Sequence, residues 1–102
     1  MHAEIAVIRG DGIGPEIIEE ALKALRKVSF LYGHMFDFVT VDAGGCAIDR
    51  HGEALPDKSL AACLHADSVL LGAVGGPRWD SLPGDERPEK ALLRIRKELG
   101  LF

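Results

Sequence analysis

Hydrophobic positions along this chain change period several times, and each change marks an element. Glu4 to Arg9, EIAVIR, is a short continuous apolar run, the pattern of a strand buried on both faces of a parallel sheet. From Pro15 the period lengthens: Ile18, Leu22, Leu25, Val28 and Tyr32 recur at three- and four-residue spacing, which predicts a helix opened by Pro15 and stopped by Gly33. Glu16, Glu19 and Glu20 lie near its start and Lys23, Arg26 and Lys27 nearer its end, as the macrodipole favours. Phe36 to Val41, FDFVTV, alternates and is aromatic and β-branched, so it reads as a second, less buried strand. DAGGCAIDRHGEALP shows no regular pattern and reads as a loop. Pro56 then opens a short helix through His65, and Ser68 to Val74, SVLLGAV, reads as a third strand buried on both faces. GGPRWDSLPGDERP follows, a polar loop rich in glycine and proline, too long for a plain connector and of the kind that often carries function. The alternation of strand and helix predicts an α/β fold, a parallel βαβ sheet of about three strands with right-handed crossovers and flanking helices.

The closing helix, ERPEKALLRIR and beyond, has two faces. Ala91, Ile95 and Leu99 form an ordinary buried stripe, while Glu89, Leu92, Leu93 and Arg96 fall within about 100° of arc elsewhere. Leu93 is therefore not needed by the core. An apolar residue between a carboxylate and a guanidinium suits a ligand with an apolar tail and an anionic head. For the helix alone, a solvated face with one stray leucine is the plainer reading.

Composition narrows the function. The 102 residues make one small domain or part of a larger one, 47% hydrophobic and 27% charged. Twelve Lys and Arg stand against 16 Asp and Glu, a net charge of −4, so there is no basic field for nucleic acid or an anionic membrane. Charges at Glu4, Arg9 and Asp11 interrupt any signal-peptide core, and no apolar run approaches the ~20 residues of a membrane span. A cytoplasmic protein acting on a small molecule is expected. Cys46 and Cys63 lack metal or CxxC spacing and read as free thiols. The four histidines are scattered, and none is given a catalytic role.

GDGIGP, Gly10 to Pro15, lies between a buried strand and a helix, where glycines permit a tight turn and a helix N-terminus offers N–H groups to an anion. It is not the dinucleotide fingerprint, which needs G-x-G-x-x-G, and Asp42 sits later than that motif's acidic residue. By itself the loop is equally a structural turn.

Four motifs together say more. GDGIGPEI, GGCAIDRHGEALP, LLGAVGGPRWD and RPEKALLRIRKELGLF, in this order, resemble the 3-isopropylmalate dehydrogenases of leucine biosynthesis, within the isocitrate/isopropylmalate dehydrogenase family. The resemblance implies a non-Rossmann α/β fold, NAD as cofactor, and Mg2+ or Mn2+ whose ligands lie outside these residues. It also implies that Leu92 and Leu93 receive the isopropyl group of 3-isopropylmalate and that Arg96 holds a carboxylate. Glu89 would lie beside the nicotinamide, with Ile13, Gly75, Gly76 and Pro77 near the cofactor. The chemistry agrees: a guanidinium fork suits a carboxylate and a branched tail suits leucines. The third carboxylate of isocitrate, set against two leucines, would lose its water without gaining a partner. The resemblance further implies that residues 1–102 are the N-terminal part of the family's cofactor-binding domain. The family's second substrate arginine, catalytic tyrosine and lysine and metal-binding aspartates have no counterpart here, so no catalytic or metal-binding residue is assigned. The expectation is an inactive, self-associating N-terminal fragment of a homodimeric enzyme. The alternative is a stand-alone, non-catalytic α/β binding module.

Overall fold

The structure, a computed structural model, describes residues 1–83 and 87–101. Three parallel strands lie in the order β2-β1-β3, with β1 (His2–Gly10) between β2 (Met35–Thr40) and β3 (Ser68–Ala73). The ladder runs from His2 opposite Met35 to Val7 opposite Thr40 on one side, and from Ile5 opposite Ser68 to Gly10 opposite Ala73 on the other. Helix α1 (Gly14–Tyr32) joins β1 to β2, while α2 (Gly45–His51) and α3 (Asp57–His65) join β2 to β3. After β3 come a 3-10 turn, Pro77–Trp79, and α4 (Glu89–Glu98).

The central strand explains the layering. Ile5 and Val7 pack with Ile18 and Leu22 of α1, whereas Ala6 and Ile8 pack with Leu60 and Cys63 of α3 and Ala91 and Ile95 of α4. Alternate side chains of one strand thus seed two cores, and the continuous apolar run EIAVIR follows from both faces being covered. The stripe expected on the last helix is likewise where the core lies: Ala91 and Ile95 are buried and Leu99 packs against them.

Three expectations need correction. SVLLGAV is not wholly buried: β3 is an edge strand, and Leu71 is 40% exposed. An apolar run indicates covered faces but does not locate the strand within the sheet. The stripe on α1 is buried at Ile18 and Leu22 but exposed at Val28 and Tyr32. A helix of 19 residues is about 28 Å long, whereas each six-residue outer strand supports about 20 Å. Finally, part of DAGGCAIDRHGEALP is helical, as α2. Among the described residues no helix is long and apolar enough to cross a membrane.

His2 and His65 share a small cleft with Glu4, Asp37 and Asp67, away from the carboxyl ends of the strands. His2 pairs with Asp37 at 2.6 Å and His65 with Glu4 at 2.7 Å, both at the N-terminal end of the strands, and His51 pairs with Asp42.

Candidate functional site

Because the connections leaving β1 and β3 turn to opposite faces, the carboxyl ends of these two strands form a switch point, where open α/β sheets leave a crevice for ligands. Gly10, Asp11 and Gly12 leave β1 there. Gly10 has φ +79°, and a β-carbon on it would enter the Ala73 carbonyl group. Only glycine lets the two strand ends approach so closely. The Asp11 N–H donates to the Ala73 carbonyl at 2.6 Å and closes the seam.

The Asp11 side chain is buried and collects three backbone donors. Oδ2 accepts from the N–H groups of Gly45 at 2.7 Å and Gly75 at 2.9 Å, and Oδ1 accepts from Cys46 at 2.8 Å. It therefore caps α2 from a distance, since Gly44, at the cap position, has no side chain to do so. The Trp79 ring lies so close to Gly45 that a β-carbon there would fall 2.3 Å from it. Trp79 Nε1 donates to Asp49 at 3.4 Å and Arg78 pairs with the same carboxylate at 3.5 Å, so the 3-10 turn is docked on α2. Trp79 is thus packing for this loop.

Gly75 has φ +99°, and its missing side chain leaves room that the Glu89 carboxylate fills. The first turn of α4 is thereby brought against the loop that leaves β3. Gly75 and Glu89 are in contact, with Gly76 and Pro77 following directly. Ile13 stands 65% exposed where α1 begins, at the same end of the sheet. Positions 84–86 of the long loop and 102 lie outside the described residues.

On α4, Leu92 is half-buried, Leu93 is 57% exposed, and Arg96 is exposed. Among the described residues the Arg96 side chain has no ion-pair or hydrogen-bond partner. Leu93 also lines an open groove of about 870 Å³ with Ile48, Leu55 and Leu82, a groove that Glu89, Leu92 and Arg96 do not line. The four residues thus share an arc of helix without closing a pocket, with Glu89 turned to the Gly75 loop and Leu93 to the groove.

The electrostatics separate the site from its surroundings. Hydrogen bonding from His51, with the Arg50 guanidinium at 3.0 Å, holds the Asp42 carboxyl below its ordinary range. Burial raises the thiol pKa of both Cys46 and Cys63, and the nearby Asp11 charge raises Cys46 further. Both cysteines are free, and neither is an activated nucleophile. Among the described residues no group of three or more His, Cys, Asp or Glu is gathered to hold a metal ion, so these residues do not fit a divalent cation. At the switch point a positive-φ glycine has a carboxylate against it, and an exposed apolar residue, Ile13, begins α1 at the same end of the sheet.

Asp11 was not legible as a site residue in the sequence. The signal available was an ionisable residue between two glycines directly after a buried strand, and the nearby cation, Arg9, pairs with Glu19 instead.

Comparison with known proteins shows the family. Residues 4–102 match the family model described as isocitrate/isopropylmalate dehydrogenase. The 3-isopropylmalate dehydrogenase of Helicobacter hepaticus is 63% identical over all 102 residues, which cover 29% of its length. That of Clostridium acetobutylicum is 59% identical over 97% of this chain and 28% of its own. Among solved structures, the apo β-decarboxylating dehydrogenase of Thermococcus kodakarensis superposes with a TM-score of 0.72 at 35% identity, over 98% of this chain and 27% of that one. The chain spans less than a third of the length of these relatives.

Proposed function

The chain belongs to the isocitrate/isopropylmalate dehydrogenase family, and from that premise we propose that it forms the N-terminal part of the cofactor-binding domain of a cytoplasmic, homodimeric 3-isopropylmalate dehydrogenase. The reaction is the NAD-dependent oxidative decarboxylation of 3-isopropylmalate to 2-oxoisocaproate. The observation that carries this reading is the contact of Glu89 with Gly75 at the switch point, at the start of the helix that bears Leu92, Leu93 and Arg96.

NAD, when bound, supplies the hydride acceptor. Ile13, Gly75, Gly76, Pro77 and Glu89 hold it at the carboxyl ends of β1 and β3. Arg96 neutralises and orients a substrate carboxylate, a role supported by a guanidinium that has no partner among the described residues. Leu92 and Leu93 exclude water from the isopropyl tail and select against a polar substituent. The family's divalent metal has no donor set among the described residues, and the contribution of these residues is binding and orientation. By themselves they do not turn over substrate, and their open edge strands favour self-association.

The test is a chimera in which this chain replaces the matching 102 residues of the Helicobacter hepaticus enzyme. NAD-dependent oxidation of 3-isopropylmalate is expected, with isocitrate a poor substrate. A folded chimera that oxidises neither contradicts the reading, as does turnover by the 102-residue chain alone.

A further inference from the structure

The Asp11 side chain makes bonds that neither the sheet nor the proposed ligand contacts require. Its N–H group already joins β1 to Ala73, and Gly10 already permits the close strand approach. The carboxylate reaches beyond the strands, to Gly75 on one side and to Gly45 and Cys46 on the other. It is 5% exposed, and all three partners are main-chain N–H groups rather than cations. An ionised carboxylate accepts at both oxygens and donates from neither, so it holds three donors at once where an amide or alcohol does not.

We infer that Asp11 is a positioning residue for the cofactor edge: it fixes the Gly75–Pro77 loop, and through Gly75 the Glu89 carboxylate, relative to the turn that follows β1. That it positions a cofactor rests on the function proposed above; that it fixes the loop does not. Gly75 is the sensitive link, because its φ of +99° is held outside the strand and Glu89 abuts it. α2 serves as the anchor, gripped between Asp11 at its N-terminus and Trp79 on Gly45.

Asp11→Asn is nearly isosteric, and in either orientation its NH2 confronts at least one backbone N–H. In the Helicobacter hepaticus chimera, the loss of one charge-assisted bond at the loop is expected to raise KM for NAD about tenfold. KM for 3-isopropylmalate is expected to move by less than about twofold, since Leu92, Leu93 and Arg96 lie beyond Glu89 on the part of α4 that the core holds through Ala91 and Ile95. If both constants rise together, or neither moves, the positioning role is overturned. If the unsubstituted chimera does not use NAD, the functional reading fails separately, and the positioning of the loop is judged on the 102-residue chain by NMR. There, couplings across hydrogen bonds are expected from the amide nitrogens of Gly45, Cys46 and Gly75 to the Asp11 carboxyl carbon. This measurement needs no variant, and the absence of the Gly75 coupling overturns the proposal.

Discussion

The Glu89 carboxylate occupies the space that a side chain on Gly75 would take. One glycine therefore joins the loop after β3 to the start of α4. Gly75→Ala adds a β-carbon into that carboxylate at φ +99°, a backbone region costly to residues other than glycine. The variant is expected to lose about 1–3 kcal/mol in urea unfolding. In the chimera it is also expected to lose NAD affinity more than affinity for 3-isopropylmalate. Equal loss for both ligands would place Gly75 in general packing alone.

The seam between β1 and β3 should be less forgiving. A β-carbon at Gly10 meets backbone rather than the flexible end of a side chain, so relief requires the strand ends to part. Gly10→Ala is expected to destabilise the chain by about 3 kcal/mol or more. Gly12→Ala meets open space and bears only the penalty of its positive φ. Denaturant midpoints of the two variants check the ranking.

Asp42 gives the stability an acid limb. Its pKa is lowered in the folded state by His51 and then Arg50, so its contribution is complete above the ordinary value of 3.8 and is lost as pH falls through the lower folded value. Partial exposure limits this to under about 1 kcal/mol. The stability gap between the parent chain and Asp42→Asn should hold steady above about pH 5 and shrink as pH falls below the ordinary value of 3.8. A gap that stays constant would show that the carboxylate is not stabilised by these partners.

Leu92 and Leu93 differ in burial and should differ in their cost to stability. Leu93→Ser, at a 57% exposed position, is expected to change stability by under about 0.5 kcal/mol, and Leu92→Ser by more. In the chimera, replacing both should lower kcat/KM for 3-isopropylmalate by tens to hundreds of fold, since apolar contacts discriminate by about 1–3 kcal/mol. NAD affinity should hold. Arg96→Ala should cost more, because it leaves a bound carboxylate unpaired. An unchanged preference between 3-isopropylmalate and isocitrate would make the leucines ordinary surface residues.

The parts of the fold legible in sequence were those set by local periodicity. EIAVIR showed a strand covered on both faces, and Ala91, Ile95 and Leu99 showed which side of α4 is buried. Helix α2 was hidden because it has seven residues and its cap is Asp11, 34 positions earlier than Gly45. A pattern confined to neighbouring residues cannot register a cap brought in by the fold. For the same reason the site was legible as motifs, GDGIGP and GGP, but not as a junction. The relation of Gly75 to Glu89, and of both to Asp11, exists only once β1 and β3 are side by side.

The central claim is that the carboxyl ends of β1 and β3 form the cofactor edge. Hydrogen exchange of the Helicobacter hepaticus chimera, followed by mass spectrometry with and without NAD, tests it most directly. NAD is expected to slow exchange in peptides spanning residues 10–16 and 73–80 and the first turn of α4, while peptides from the C-terminal half of α1 are unchanged. Protection confined to other parts of the chimera, with these three segments unaffected, would contradict it.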